Sequence, residues 1–561
     1  MTWPRPVPLV GDTSSAADRA GAPDAWAFPP PARAALYDVL AARRDVRRYR
    51  PDPVGDDVLR RVLAAGHAAP SVGHSQPWRF LLVHDSTTRE RAALMADAER
   101  LAQAEQLEPD AARRLLDLQL EGIREAPVGV VVCCDRRTPA AGVLGRATFP
   151  DADLWSCACA IENIWLAARA EGLGLGWVTL FDPERLGALL GLPPGVQTLG
   201  WLCLGWPDER PPAPGLERAG WSRRAPLEDV VLHDRWPGGS APSAPPSRLR
   251  APGAAAVVGA RDVADTLLTP PSSLGVLDRA VDRVVALGHA GLTGGTLVLA
   301  GGRHGVTAHG VSAFPDQVTD DVLAAARAGS ALGAVAARAA GLGLHVVDAG
   351  RSTGDLRRTD PLERDRAAQL LAQGRELGRR LAPDGLVALG EVGVGNTTVA
   401  AALAASLVDL PAGDAVGLGS GADSAMLEVK AQVVAAALDR WRAGPGDGAV
   451  DRLAVLGGPE LALLTGVVLG AAEGGAVVVL DGLATAVAAL LAVEAEPGAA
   501  ACLVAGQRSR ERASQAVLQR LGLEPLLDLR LRAGEGVGAA LAAQLLLSGL
   551  LLRRATARTG P

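Results

Sequence analysis

The strongest constraint on this chain is a stretch that can form no packed face. Residues Pro237 to Gly253 read PGGSAPSAPPSRLRAPG, a run of proline, glycine, serine and alanine without an apolar period. Such a composition predicts a solvated tether rather than part of a core. The text on its two sides differs. Of 11 tryptophans, 5 phenylalanines and 2 tyrosines, only Phe314 and Trp441 follow it, and of 6 cysteines only Cys502 does. A chain of 561 residues also exceeds what one hydrophobic core usually supports. We therefore expect two units, 29–236 and 254–561, joined by a linker at 237–253 and preceded by a disordered segment at 1–28.

A net charge of −6 with both signs interspersed offers no basic stripe for nucleic acid or lipid, which leaves small molecules as the expected partners. Cys133 and Cys134 are adjacent and Cys157 and Cys159 are two apart, so the cysteines form neither a disulfide framework nor a CxxC metal pair. They read as small core residues in a reducing cytoplasm. No metal is expected, since His304 and His309 stand alone as a weak pair. The N-terminus MTWPRPVPLVGD lacks the basic and apolar regions of a secretory signal. Ala539 to Leu552 is shorter than the roughly 20 residues of a membrane span, and reads as a buried helix.

In the first unit, helical spacing over Ala32 to Ala42 runs into RRDVRRYR (Arg43 to Arg50), five arginines with one aspartate. On its own such a run is a solvated helix end; as a cluster it suits an anion. A helix at Asp57 to His67 precedes APSVGHSQPWRFLLV, whose small residues Ala69 to Gly73 permit close backbone approach before a strand. A charged helix, a strand at Val128 to Cys134, a helix from about Asp153 to Glu171, GLGLGWVTLFDP and GWPDERP follow.

These motifs resemble the flavin-binding nitroreductase superfamily, an α+β fold. Within it RRDVR, APSVG, the text from Ile164 to Val178, Gly200 to Gly205 and GW…R.PLED (Gly220 to Asp229) are similar to the 5,6-dimethylbenzimidazole synthases. The resemblance implies that reduced FMN and O2 are consumed and the flavin is cut apart. It places Arg43, Arg44, Arg47 and Arg224 at the flavin, Ser71 and Gln76 at its polar edge, and Gly174 and Gly176 where backbone approaches it. It makes Asp45 a participant in proton transfer, although among arginines an aspartate also reads as a salt-bridge partner. Thr179 stands where the family holds a serine. An ordinary nitro- or quinone reductase using NAD(P)H is the alternative.

The second unit alternates β-branched runs with alanine- and leucine-rich helices. Thr296–Ala300, Leu344–Ala349, Gly385–Leu389, Arg452–Leu456, Ala476–Leu480 and Ala501–Ala505 read as strands of a parallel, Rossmann-like α/β sheet, accompanied by a smaller helical part. Ligands of such sheets sit beyond the carboxyl ends of the strands, where GEVGVGNTT (Gly390 to Thr398), GLGSGADS, GGPE and DGLAT lie. Gly393 and Gly395 free backbone N–H groups, and Asn396 and Thr397 open the next helix, whose dipole favours phosphate. By itself this loop reads equally as a helix cap.

TPPSSLGVLD, HGVTAHGVSAFPDQVT, GEVGVGNTT, GGPELALLTGVVLGAA, VVLDGLATAVAALL and LRLRAGEGVGAAL, in that order, resemble the nicotinate-nucleotide:dimethylbenzimidazole phosphoribosyltransferases. That resemblance makes Glu535 the base that deprotonates the attacking benzimidazole, Glu391 a second carboxylate facing the nucleotide, and Lys430, the unit's single lysine, a phosphate contact. Arg303, Ser272, Phe314 and Ser424 depart from the family pattern. The joint expectation is a bifunctional, homodimeric enzyme of cobalamin lower-ligand synthesis, served by a separate flavin reductase. A non-catalytic nucleotide- or base-binding module is the alternative for this half.

Overall fold

VGVVVCC in the first unit alternates which side chains face which layer, and both layers are apolar. The computed structural model describes residues 21–559 apart from 23, 25–26, 118–121, 235, 237–246, 250, 420–423, 443, 445 and 447. Most of the segment expected to be disordered, and most of the tether, lie outside the described residues. The described residues fall into two units, dividing at Gly239/Ser240.

The first unit carries helices α1 (Pro30–Ala42), α2 (Asp56–His67), α3 (Ser86–Glu105) and α4 (Ala152–Ala170). Its strands are β1 (Trp78–Val83), β2 (Val128–Asp135), β3 (Gly174–Val178) and β4 (Val196–Gly205), in the order β1-β2-β4-β3 and antiparallel throughout. Val128, Val130, Val132 and Cys134 of β2 pack with Cys157, Ile161 and Ile164 of α4 and Leu59 and Val62 of α2. Val131 and Cys133, on the opposite face, meet Ala92, Ala93 and Ala96 of α3 and Trp201 of β4. This two-residue period buries both faces of the sheet. Five of the cysteines are small core residues, as expected; Cys159 is exposed.

The second unit is built on β5 (Gly295–Arg303), β6 (Leu342–Arg351), β7 (Leu386–Val392), β8 (Val477–Leu480) and β9 (Leu503–Ala505), ordered β6-β5-β7-β8-β9 and all parallel. Its principal helices are α5 (Val276–Ala286), α6 (Leu332–Ala339), α7 (Arg364–Leu381), α8 (Asn396–Val408), α9 (Ser424–Arg442), α10 (Ala449–Leu456), α11 (Pro459–Glu473), α12 (Leu483–Ala495) and α13 (Val537–Ala555). The helices α5, α6 and α13 cover one face of the sheet, and a larger core including α7, α8, α11 and α12 covers the other. By length and composition α13 and the stretch Gln317–Ala339 could each cross a membrane. Here α13 buries Ala539, Ala540, Ala543 and Leu546 against the sheet, as a core helix does.

One strand expectation fails. Arg452–Leu456 is not a strand but the second half of α10, capped at Gly448 and ended at Gly457. Leu453, Ala454 and Leu456 turn inward together while Arg452 lies over the Trp441 ring at 4.8 Å. A five-residue apolar run cannot distinguish a buried strand from one side of a helix. Where α7 crosses α11, main chain approaches main chain. A methyl added at Gly374, Gly378, Gly466 or Gly470 would run into the main chain of the other helix. Each helical glycine costs up to about 1 kcal/mol of helix propensity relative to alanine, and here the loss is offset by backbone contact.

Candidate functional site

The arginine segment of the first unit is held as an added strip beside β3, the edge strand. The Val46 N–H donates to the Leu175 carbonyl at 3.0 Å, and Asp45 bridges Leu175 in parallel register. On the other side Glu209, from GWPDERP, accepts the N–H groups of Arg47 at 2.6 Å and Arg48 at 3.1 Å. The strip walls a cavity of about 820 Å³ lined by Arg43, Arg44, Arg47, Arg48, Arg218, Arg223 and Arg224 with Asp45, Glu209 and Glu217 as the acids. That size accommodates a drug-sized or nucleotide-sized ligand, and the arginine excess favours an anion.

Within this wall each arginine has a different state. Arg43 lies over the Trp165 ring at 4.4 Å and 3.7 Å from Glu162. Arg44 donates to the carbonyls of Ala41 and Arg43, each at 2.7 Å, while its Nε is buried without a hydrogen-bond partner among the described residues. Arg47 is paired with Asp45 and donates to the Trp177 carbonyl at 3.0 Å. Burial pushes the Asp45 carboxyl up, opposed by Arg47 and by the Trp177 N–H at 3.3 Å. Its side chain retains 38% exposure toward the recess, so a ligand filling that recess completes the desolvation.

Gly174 and Gly176 serve a different approach from the one expected. A methyl at Gly174 would lie 2.8 Å from Val46 Cγ1, and one at Gly176 would strike the Val46 carbonyl, so these glycines admit the chain's own arginine strip. Ser71, Gln76 and Thr179 do not line the arginine cavity. Ser71 Oγ accepts from the Gln76 N–H at 3.0 Å in a turn where Gln76 takes φ 47°, and Thr179 is exposed just beyond β3.

The second unit gathers its residues more completely. Glu391, Gly393, Gly395, Asn396, Thr397, Lys430 and Glu535 all line one cavity of about 310 Å³ beyond the carboxyl ends of β7 and β8. Glu391 is the penultimate residue of β7 and is hydrogen-bonded to the Asn396 side-chain amide. Burial first, then the Glu460 and Asp481 carboxylates, push Glu391 up to about 8, against the Asn396 bond; Glu535 adds least. Glu535 lies between Gly534 and Gly536 in three successive left-handed residues, with φ of 65°, 55° and 77°. Its N–H donates to the Glu391 carbonyl at 3.0 Å, and its Oε2 accepts from the Gly333 N–H at 3.0 Å. One carboxylate oxygen is thereby anchored at the start of α6.

The glycine loop offers fewer free donors than its composition suggests. The N–H of Val394 goes to Thr319 Oγ1 at 3.1 Å, that of Asn396 to the Gly393 carbonyl at 3.2 Å, and that of Thr398 to the Gly395 carbonyl at 3.1 Å. Gly395 supplies the left-handed turn at φ 89°, whereas Gly393 allows contact with Gly302 and His304. Lys430 Nζ donates to the Gly417 carbonyl at 3.2 Å; burial pulls its pKa down while Glu511 opposes. Of the departures, Phe314 lines this cavity, Ser272 lines a separate one, and Arg303 forms ion pairs with Asp320 and Asp348. The side chain of Ser424 lies outside the described residues.

Comparison with known proteins separates along the same boundary. Residues 249–559 match a family described as phosphoribosyltransferase, and residues 40–206 match the nitroreductase family. The 5,6-dimethylbenzimidazole synthase of Rhodospirillum rubrum is 43% identical over 201 residues, 36% of this chain and 94% of that protein. The nicotinate-nucleotide–dimethylbenzimidazole phosphoribosyltransferase of Thermus thermophilus is 40% identical over 305 residues, 50% of this chain and 90% of that protein. The chain belongs to both families. A crystal structure of CobT from Thermus thermophilus matches with TM-score 0.52 and 37% identity, covering 54% of this chain and 97% of that one.

The phosphoribosyltransferase half contains functional candidates that sequence reasoning missed. Asp481, in DGLAT, is buried; Gln507 donates to it at 2.9 Å and the Gly536 N–H at 3.1 Å, and burial pushes it up to about 6. Glu460 of GGPE is buried behind Glu391. Both sit in glycine loops that the β-α pattern marks. In the nitroreductase half Glu209 was legible only as part of GWPDERP; nothing in the sequence states that it holds the arginine strip.

Proposed function

We propose that the chain is a bifunctional enzyme of cobalamin lower-ligand synthesis: its first unit converts reduced FMN and O2 to 5,6-dimethylbenzimidazole, and its second transfers phosphoribose from nicotinate mononucleotide to that base. The observation that carries the reading is the convergence of Glu391, the Gly393–Thr397 loop, Lys430 and Glu535 on one cavity, in a chain whose other unit is similar to a synthase of the transferase's acceptor.

In the transferase step a benzimidazole nitrogen attacks the anomeric carbon, the bond to nicotinate breaks, and nicotinate leaves with the bonding pair. Glu535 takes the acceptor's N–H proton through the carboxylate oxygen not anchored by Gly333. Lys430 and the start of α8 hold the phosphate, and Asn396 orients Glu391 toward the nucleotide. Phe314 stands in the acceptor end of the cavity.

In the synthase unit the arginine cavity fits a flavin phosphate by size, charge and an Arg44 Nε that has no partner among the described residues. Bound there as substrate, reduced FMN supplies the reducing power toward O2 and the ring that becomes the base. Arg43, Arg44, Arg47 and Arg224 hold the phosphate, and Asp45, raised by burial, is placed to hold or pass a proton. Ser71, Gln76 and Thr179 reach the flavin only where it extends beyond the arginine cavity. A flavin reductase supplies the substrate, and both units work as homodimers.

The full chain, given reduced FMN, O2 and nicotinate mononucleotide, is expected to form α-ribazole phosphate and nicotinate. NAD(P)H-driven turnover of nitroaromatics without benzimidazole would make the first unit an ordinary reductase. Failure to transfer phosphoribose to added dimethylbenzimidazole would make the second a binding module.

A further inference from the structure

Beyond the last strand of the parallel sheet, a second recess adjoins the transferase cavity. It measures about 510 Å³, and four arginines line it: Arg508, Arg510, Arg512 and Arg530. Ser509, Arg510 and Glu511 line both spaces, so the loop after β9 is the wall they share. The fold holds that wall in place. The N–H groups of Leu526 and Leu527 donate to the Ala505 and Gly506 carbonyls, each at 3.0 Å, and the Arg508 N–H donates to the Leu527 carbonyl at 2.8 Å. The chain leading to Arg530 is thereby laid alongside the extension of β9. Arg530 itself takes left-handed backbone at φ 54°, which a residue other than glycine keeps only where its surroundings impose it.

The charges of the recess are unevenly committed. Arg512 donates to the Gly413 carbonyl at 3.1 Å, while Arg508 lies 3.6 Å from Asp528 and donates to Gln515 Oε1 at 3.4 Å. The second acid, Glu511, is turned toward another loop: its Oε1 accepts the Gly419 N–H at 2.8 Å, and a methyl at Gly417 would strike its Oε2. The side chains of Arg510 and Arg530 have neither a hydrogen bond nor an ion pair among the described residues. Two guanidinium forks are left for an anion.

The order of the sheet says which anion. Along β5-β7-β8-β9 the transferase cavity changes character. After β5 it is apolar, with Val311, Phe314, Val318 and Val322; after β7 come Glu391 and the phosphate loop; after β8 and β9 it is polar, with Asp481, Gln507, Ser509 and Arg510. A displacement puts the attacking and leaving nitrogens on opposite sides of the anomeric carbon. With the acceptor at the Phe314 end, the nicotinate ring departs toward the loop after β9 and the arginines behind it. Its charge changes as it goes. In the donor the pyridinium nitrogen offsets the ring's carboxylate; when the bond to the anomeric carbon breaks, the pair returns to nitrogen and the ring leaves as a net monoanion. A cluster of cations therefore pulls harder on the departing ring than on the bound donor.

We propose that the recess is an exit subsite for a pyridine carboxylate: Arg510, at the shared wall, and Arg530, beyond it, receive the carboxylate of nicotinate as it leaves. The proposal rests on the transferase reading and deepens it. Nicotinamide, which carries no charge, gains nothing there.

The test is product inhibition of the full chain, with saturating dimethylbenzimidazole and nicotinate mononucleotide as the varied donor. Arg510→Gln and Arg530→Gln, made separately, should each weaken inhibition by nicotinate about tenfold and leave inhibition by nicotinamide within about twofold. Higher ionic strength should weaken nicotinate inhibition of the wild type and leave nicotinamide inhibition unchanged. Nicotinate inhibition unmoved in either variant, or nicotinamide inhibition weakened equally, would overturn the proposal. So would a recess that serves the nucleotide's phosphate, seen as a higher KM for nicotinate and nicotinamide mononucleotides alike with nicotinate inhibition unmoved. Calorimetric titration of the full chain with sodium nicotinate separates the subsite from the reading beneath it. If the wild type transfers to no base yet binds nicotinate, and Arg510→Gln weakens that binding, the subsite stands and the transferase reading falls.

Discussion

At the scale of single residues the transferase site is a set of carboxyls given different tasks by their surroundings. Glu535 is anchored through one oxygen and Glu391 is raised by burial and like charges, and the proposed mechanism gives these two carboxyls of one cavity different tasks. Glu535→Gln should lower kcat by about 10²- to 10⁴-fold while leaving the KM for the mononucleotide within about threefold, in steady-state assays; retained kcat would remove the base assignment. In the synthase unit Glu209 accepts two backbone N–H groups of the arginine strip, so Glu209→Ala leaves both without their acceptor. The expected result is about tenfold weaker FMN binding by fluorescence titration, and an unchanged Kd would deny Glu209 that role. Glu391 and Glu535 were legible because each sits in a long ordered motif, and Lys430 because it is the unit's single lysine. Asp481 and Glu460 were not assigned, because their importance comes from meeting Glu391 across strands far apart in sequence. Gly174 and Gly176 were legible as a close approach, but the sequence did not say that Val46 is what approaches.

At the scale of elements, the parallel sheet could be read from β-branched runs separated by helical stretches, and the one error came where such a run lay on the inner side of α10. Two of the helices that close the sheet's first face, α5 and α13, are joined by charge as well as by packing. Arg553 of α13 donates to Asp282 of α5 at 2.5 Å and lies 3.3 Å from Asp278, all three largely buried. Deleting one partner strands a buried guanidinium, so Asp282→Ala should cost about 3 kcal/mol in urea unfolding followed at the transferase transition. A loss under about 0.5 kcal/mol would show that Asp278 alone suffices. No local pattern announced this pair, whose members are separated by most of the second unit.

At the scale of the whole molecule, the described residues fall into two units, and the composition break at 237–253 is proposed as the linker between them. The end of the tether segment is not free. Glu496 Oε1 accepts from the Ser247 side chain at 2.5 Å and from the Arg248 N–H at 2.7 Å, which ties these residues to the transferase unit. Two thermal transitions are expected, and they should respond differently to pH. A carboxyl whose native pKa is raised keeps a proton that the unfolded chain has released, so its stabilisation is present at low pH and lost as pH rises through the native value. For Glu391 that window runs from 4.5 to about 8. Between pH 6 and 8 the wild-type transferase transition should therefore lose about 1.4 kcal/mol per pH unit more than that of Glu391→Gln; parallel calorimetric profiles would contradict it. The crossing of α7 and α11 carries a last consequence, for how this enzyme can change over time. Because main chain of α11 meets main chain of α7 at four glycines, none of the four tolerates one added carbon atom. Drift at those positions would displace the helix bodily and carry its N-terminal Glu460 with it, so one added carbon atom in the core would be felt beneath the transferase cavity.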